Sequence, residues 1–256
     1  MFIVISPAKS LDFESAVPQT QNSSIRFPKE AHTLVQKLKK FKPDDLGQLM
    51  NISTQLTQLN HHRFQIWQHP FVDEEIRAAL FAFKGEVYTG IDAYHLSSDA
   101  IDYADNHLRI LSGLYGLLRP LDAIMPYRLE MGTKLSVRTK KNLYEFWGDK
   151  ITKLLLDDMN ASDEEVLINL ASNEYFKSIN KKKFDKRIVT PVFKDQKNGE
   201  YKVISFFAKK ARGQMTRFII ENKIEHPDDL RAFAIDGYYY HQELSKPDTP
   251  TFVREH

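Results

Sequence analysis

The alternation of apolar and polar residues predicts a chain that mixes strands and helices. The all-apolar run from Phe2 to Ile5 is typical of a buried central strand, and Ser6-Pro7 ends it. A polar stretch from Asp12 to Arg26 follows, for which we predict an ordered loop or sheet edge. Apolar residues recur at helical spacing from Pro28 onward, so a helix with one buried face begins there.

The rest of the chain continues this mixture of elements. Helices are predicted near Pro43 to Trp67, Asp73 to Phe83, Ser98 to Leu108 and Leu143 to Met159, and strands at Val166 to Leu170, Ile188 to Phe193 and Tyr201 to Phe207. No linker, repeat or low-complexity run divides the 256 residues. We therefore predict a mixed α/β (α+β) fold in which residues 1–256 form a single compact domain, with a central β-sheet flanked by helices.

A hairpin and a basic helix are predicted in the last third of the chain. Asn198-Gly199 joins the last two strands, and this dipeptide strongly favours a two-residue β-turn. The hairpin leads into a helix from Ala208 to Asn222 whose apolar positions form one buried stripe. The opposite face is predicted to carry four basic residues, Lys209, Lys210, Arg212 and Arg217. Gly213 in the helix interior indicates close approach by a phosphate or by another helix, and helix packing is the favoured interpretation.

Charge is distributed unevenly along the chain. The segment from Lys177 to Arg217 contains 13 Lys or Arg residues against three acids, a net charge of +10, so the remainder carries −8 of the overall +2. A concentrated positive field attracts polyanions, which makes nucleic acid or a phosphate-rich ligand the first candidate partner. The alternative is a solvated lysine-rich surface.

The composition excludes several classes of chemistry. The chain has no cysteine, which fits a reducing compartment and excludes disulfides, thiolate nucleophiles and iron–sulfur ligation. The apolar opening is too short for a signal peptide and no stretch could span a bilayer, so we predict a cytoplasmic protein without membrane contact. His61 and His62 lack a carboxylate at helical ligand spacing, while Asp73, Glu74 and Glu75 suit a helix N-terminus. We therefore predict neither a metal site nor a cofactor.

A hydroxyl and an amine follow the first predicted strand. Ser6-Pro7-Ala8-Lys9 has the Ser-x-x-Lys spacing of penicillin-recognising enzymes, but the partner motifs of those enzymes do not occur in the chain. A strand-end turn that carries Ser6 and Lys9 can also bind a phosphate or another small anion. Anion binding is the favoured interpretation, above covalent serine chemistry, and a simple structural turn is the remaining alternative.

A second segment, Leu111 to Pro120, places Gly113 and Gly116 on either side of two apolar residues. The glycine pair resembles the hairpin of helix-hairpin-helix modules, whose backbone N–H groups bind phosphates. Those modules usually carry Gly-x-Gly, however, and the Gly-x-x-Gly spacing of this chain is closer to that of a KH loop. A structural turn between packed elements is equally compatible with the apolar residues around it. Arg119 and Arg128 flank the following segment and are the better candidates for ligand contact, although Arg128 could instead pair with Glu130.

Several of these segments resemble one known family. The opening Ile-Ser-Pro-Ala-Lys, the segment from Phe83 to Gly90, LRILSGLYGLLRPLDAIMPYRLEMG, FWGD, NLASNEYFK and ISFFAKKARGQMTRFIIEN are similar, in this order, to the YaaA peroxide-stress protein family. The resemblance implies survival of peroxide stress through limitation of free iron, DNA binding, and a single-domain fold with a positively charged cleft and a helix-hairpin-helix-like element. It supplies no catalytic residues. The implied phosphate-binding residues are Lys9, Arg119, Arg128, Lys177, Lys209, Lys210, Arg212 and Arg217.

Two functions from different classes follow. In the first, the protein is a monomer that binds double-stranded DNA through backbone phosphates with low sequence specificity, and limits damage by iron and peroxide. In the second, it is an enzyme acting on a nucleotide or a nucleic-acid base. Ser6 and Lys9 would then form its anion site, and Asn169, Ser172 and Glu174 would supply polar groups.

Overall fold

The computed structural model describes residues 1–18, 22–72 and 75–255. Its helices are α1 (Pro28–Leu38), α2 (Pro43–Met50), α3 (Thr54–Ile66), α4 (Ala79–Ala82), α5 (Glu86–Ile91), α6 (Ser98–His107), α7 (Leu143–Trp147), α8 (Lys150–Ala161), α9 (Asn173–Phe176) and α10 (Ser205–Asn222). Its strands are β1 (Phe2–Ile5), β2 (Ser10–Leu11), β3 (Arg77–Ala78), β4 (Phe83–Lys84), β5 (Leu108–Ser112), β6 (Gly116–Leu118), β7 (Ala123–Ile124), β8 (Val166–Asn169), β9 (Arg187–Val189), β10 (Val192–Lys197), β11 (Glu200–Lys202), β12 (Tyr239–Tyr240) and β13 (Thr251–Arg254). Short 3₁₀ turns span Ala93–His95 and Pro227–Ala232.

The larger sheet has the strand order β6-β5-β1-β8-β9. β1 lies in the middle and pairs in parallel with both β5 and β8, and its four residues are fully buried, as its all-apolar sequence predicts. The mixed fold with a central sheet flanked by helices is thus confirmed. Ser6 follows β1 and residues 170–172 follow β8, so both loops leave the same carboxyl edge of the sheet, where α/β folds commonly bind ligands.

The smaller sheet has the order β11-β10-β13-β12. β10 and β11 form the predicted hairpin, because Asn198 and Gly199 both take the positive φ angles, 56° and 78°, that a type I′ turn requires. The hairpin leads into α10, also as predicted. β13 lies parallel to β10 in the middle of this sheet, with all four residues buried.

Two predicted helices are each divided in the structure. The segment from Pro43 to Trp67 forms α2 and α3, because Asn51 adopts a left-handed conformation (φ 50°) and the Ser53 hydroxyl caps a new helix. The segment from Leu143 to Met159 is interrupted in the same way at Gly148, also at φ 50°.

Three further predictions are wrong in detail. Within the predicted helix from Asp73 to Phe83, only Ala79–Ala82 is helical, and Asp73 and Glu74 lie outside the described residues. The predicted strand from Ile188 to Phe193 is divided between the two sheets, since Pro191 lacks the N–H group that would continue a ladder. The strand predicted to reach Phe207 ends at Lys202, where the chain turns into α10.

α5 crosses α10 with the two backbones in contact. A Cβ atom on Gly213 would lie 1.9 Å from the Val87 carbonyl oxygen, and one on Gly90 would lie 2.3 Å from the Lys210 carbonyl oxygen. The interpretation of Gly213 as a packing position is confirmed. The prediction of one free basic face is wrong, because α5 covers the side of α10 on which Gly213 lies.

Candidate functional site

A cavity of about 410 Å³ lies at the carboxyl edge of the larger sheet. Four segments form its walls: residues 6–10 after β1, residues 84–88 at the start of α5, the loop after β8 and the first half of α10. Among the predicted site residues, this cavity brings together Ser6, Lys9, Lys209 and Arg212, with Ser172 and Glu174 of the enzyme hypothesis.

Ser6 joins the two strand-end loops. Its Oγ accepts a hydrogen bond from the Ser172 backbone N–H at 2.9 Å and donates one to the Ser172 Oγ at 3.2 Å. The Tyr88 hydroxyl donates to the Ser6 carbonyl oxygen at 3.1 Å, and burial raises the pKa of that hydroxyl. Lys9 points elsewhere, since its ammonium pairs with Glu130 at 2.8 Å. The geometry therefore lacks the serine–lysine contact that covalent serine chemistry would use.

Arg212 has an unusual environment for a guanidinium. Its side chain is half-buried in the cavity wall, and it has no hydrogen-bond or ion-pair partner among the described side chains. Burial lowers the pKa of Arg212, but an arginine remains charged at neutral pH. Lys209, three residues earlier on the same helix, is exposed and also has no carboxylate partner in the described ranges. Both cations are available to an anion in the cavity.

The carboxylates that line the cavity are mostly engaged by protein groups. Glu130 accepts from Lys9 and, at 3.0 Å, from Arg128, which is the pairing predicted as an alternative role for Arg128. Glu174 accepts from the Gly132 backbone N–H at 2.8 Å. Only the charge of Glu130 is balanced by ion pairs, since Glu86, the third carboxylate in the lining, has no ion-pair partner in the described part of the chain. The cavity therefore presents the cations Arg212 and Lys209 together with the carboxylates of Glu86 and Glu174.

Arg119 lies outside this cavity. Its guanidinium and its backbone N–H bind the fully buried carboxylate of Asp122 at 3.0 and 2.9 Å, which fixes the loop before β7. This contact holds the loop in place whether or not Arg119 also meets a ligand.

Gly113 follows β5, and Gly116 is the first residue of β6. The two residues between them, Leu114 and Tyr115, are fully buried, and the Trp147 indole N–H donates to the Gly113 carbonyl oxygen at 3.0 Å. Position 116 requires a glycine, because its φ angle is 73° and because the Trp147 ring packs against it where a Cβ atom would lie. Of the two interpretations of this segment, the geometry fits the structural turn.

The remaining predicted residues differ in how they are paired. Lys210 binds Asp236 at 3.1 Å, and Arg217 binds Asp92 at 3.0 Å and Glu221 at 2.9 Å. Lys177 is exposed at the end of α9. Within the described part of the chain, ion pairs with carboxylates engage six of the 13 basic residues of the charged segment: Lys183, Lys186, Arg187, Lys202, Lys210 and Arg217.

Sequence reasoning from the residues missed the contribution of the β4–α5 turn. Lys84, Gly85 and Tyr88 line the cavity. They belong to the segment from Phe83 to Gly90, which contributes to the family resemblance but from which no ligand contact is predicted. The available signal was a glycine between a basic residue and the start of a short apolar helix, a pattern that marks a turn where chain and ligand can approach closely.

Within residues 1–18, 22–72 and 75–255, no three His, Asp or Glu side chains come together as metal ligands would. No helix in these ranges has both the length and the apolar character needed to cross a membrane.

Comparison with known proteins identifies close relatives along the whole chain. Residues 1–244 match the family described as peroxide stress protein YaaA, which confirms the family predicted from the sequence motifs. The chain is 52% identical to a UPF0246 protein of Hahella chejuensis, with both chains covered in full. It is 53% identical to a UPF0246 protein of Shewanella baltica over 100% of this chain and 99% of the relative. Identity to a UPF0246 protein of Alteromonas mediterranea is 51%, over 99% of this chain and 98% of the relative.

Proposed function

We propose that this chain, which belongs to the YaaA family of peroxide stress proteins, protects DNA in the cytoplasm by binding the phosphates of double-stranded DNA with low sequence specificity. The family supplies the general role in peroxide stress. DNA contact and the limitation of iron-dependent damage are the proposed means.

The observation that carries the proposal is the half-buried, unpaired guanidinium of Arg212 in the cavity wall. A half-buried cation without a partner carries a desolvation cost, which an anion bound in the functional state would offset. Lys209 lies on the same side of the helix, and phosphate is an anion that Arg binds through paired hydrogen bonds and Lys binds as a point charge.

Protection against iron follows from where the chemistry of damage takes place. Ferrous iron on DNA converts peroxide into hydroxyl radical beside the bases. A protein that occupies backbone phosphates displaces cations from the DNA surface, because binding releases the condensed counterions. In this proposal iron-dependent damage falls because the protein covers the DNA phosphates, so the protein needs no iron site of its own.

The test is binding of a fluorescent DNA duplex across a series of salt concentrations. Arg212→Gln and Lys209→Gln should each weaken binding about tenfold and reduce the slope of log affinity against log salt by about 0.9, the value of one phosphate contact. Lys153→Gln is the matched control, because it removes the same charge from an exposed position on α8 that does not line the cavity. Equal affinity and equal salt slope in all four proteins would refute the proposal.

A second candidate is an enzyme that acts on a nucleotide or a nucleic-acid base. It is favoured by the volume of the cavity, about 410 Å³, which lies in the range of about 300 to 1,000 Å³ typical of small-molecule sites. Ser6 would position the ligand, because its hydroxyl is held by the loop after β8. Incubation of wild type and Ser6→Ala with nucleotides and with DNA, followed by product separation, tests this candidate: turnover lost in the variant supports it, and no turnover in wild type refutes it.

A further inference from the structure

A second cavity, of about 250 Å³, adjoins the one described above. The two share Lys84, Gly85 and Tyr88, which form the partition between them. At Gly85 the partition has no side chain, and a Cβ atom there would meet only the Ala8 Cβ, at 3.4 Å.

The second cavity suits a flat ring better than a charged group. Its floor consists of buried apolar side chains, including Leu80, Phe81 and Phe83. Tyr94 forms one side with its ring edge-on to Phe81 at a centroid distance of 5.3 Å, and it is 39% exposed. An exposed aromatic ring beside an apolar floor is the arrangement on which nucleobases stack.

The two cavities differ in the charge that they present. Asp12 and Asp92 line the second cavity, where no cation lacks a carboxylate partner among the described residues. The first cavity also has carboxylates in its lining, but it contains the unpaired Arg212 and Lys209. Hydrogen bonds from Ser15 hold the pKa of Asp12 at about 2. Burial raises the pKa of Asp92, but the hydrogen bond and charge of His95 and the charge of Arg217 outweigh it and keep that pKa below its ordinary value. Both carboxylates are ionised at neutral pH and oppose a phosphate there.

We propose that the two cavities together bind one nucleotide, with the phosphate at Arg212 and Lys209 and the base on the Tyr94 side of Gly85. This inference rests on the proposed function for the phosphate end and adds the site of the base. The ligand is a free nucleoside monophosphate or a single unpaired nucleotide of DNA, since both present the same phosphate, sugar and ring.

The test compares adenosine 5′-monophosphate with inorganic phosphate by calorimetric titration. Wild type should bind the nucleotide about tenfold more tightly than phosphate, because the ring adds contact in the second cavity. Tyr94→Ala should remove that difference and leave phosphate affinity unchanged, while Tyr94→Phe, which keeps the ring, should retain it. Equal binding of the nucleotide to wild type and Tyr94→Ala overturns the free-nucleotide arm.

A second arm uses two DNA duplexes of equal length and charge, one of which contains a single unpaired adenosine. If the ligand belongs to DNA, wild type prefers the duplex with the unpaired nucleotide and Tyr94→Ala loses the preference. Weaker binding by Tyr94→Ala in either experiment supports the inference and shows whether the ligand is a free nucleotide or part of DNA. If Tyr94→Ala behaves as wild type in both experiments, the inference is overturned. The outcome is separable from the proposed function, because failure of Arg212→Gln and Lys209→Gln to weaken the fully paired duplex refutes DNA binding whatever the Tyr94 variants do.

Discussion

α10 carries two half-buried arginines, Arg212 and Arg217, whose surroundings are opposite. Arg217, near the carboxyl end, binds two carboxylates and the carbonyl oxygens of Ile91 and Asp92. Arg212, nearer the amino end, lines the cavity and has no such partner in the described structure. Between them lies Gly213, where α5 crosses. The difference shows that two arginines five residues apart on one helix can have opposite settings, one engaged by the fold and the other without a polar partner in the described structure.

The largest effect is expected at the crossing itself. Gly213→Ala places a Cβ atom 1.9 Å from the Val87 carbonyl oxygen, so α5 must move and the two arginines lose their distinct settings. We expect a loss of about 3 kcal/mol in the free energy of unfolding, measured by urea denaturation, because overpacking outweighs the gain of about 1 kcal/mol that alanine brings to an ordinary helix. Lys209→Ala, at an exposed position of the same helix without an ion-pair partner in the described structure, is the control and should be close to neutral. A more stable Gly213→Ala protein would show that the helices are not in contact.

An intermediate effect should separate the two arginines directly. Arg217→Gln removes two ion pairs and several charge-assisted hydrogen bonds that are partly exposed, and should lower the free energy of unfolding by about 1.5 kcal/mol. Arg212→Gln removes no hydrogen bond or ion pair within the described structure and relieves a half-buried unpaired charge, so the free energy of unfolding should be unchanged or slightly higher. Equal destabilisation by both changes, in the same denaturation experiment, would mean that Arg212 is structural as well.

The smallest effect is expected in the pH dependence of the Arg217 contribution. Because the pKa of Asp92 in the folded protein lies below its ordinary 3.8, the stability it contributes is present above pH 3.8 and is lost as the pH falls through the folded value. The difference in melting temperature between wild type and Arg217→Gln should therefore be constant near neutral pH and narrow below about pH 3.8. A difference that widens on acidification would contradict this sign.

The local structure in this comparison can be predicted from the sequence, whereas the contacts between residues far apart in the chain cannot. The hairpin and α10 follow from Asn198-Gly199 and from helical periodicity, and Gly213 is identified as a packing position before its partner is known. The settings of Arg212 and Arg217 cannot be predicted in this way, because Asp92 lies 125 residues from Arg217 along the chain. The sequence of α10 by itself also does not indicate that α5 covers one side of this helix.

The same limit applies to the candidate site. Ser6 and Lys9 are recognised as strand-end residues from the sequence, but the contact between Ser6 and Ser172 joins residues 166 positions apart. The breaks at Asn51 and Gly148 were missed because left-handed residues interrupt patterns that are helical on both sides. Proximity in the fold, which periodicity does not encode, decides which basic residues share a cavity.

The central place of β1 in the larger sheet has a consequence for the order of folding events. β1 pairs with β5 and β8, whose residues follow it by more than 100 positions, and closing such long segments is slow compared with local helix formation. The loops that carry Ser6 and Ser172 meet only when these pairs have formed. We therefore expect the helices to appear first and the walls of the cavity around Ser6 and Ser172 to be completed among the last steps of folding.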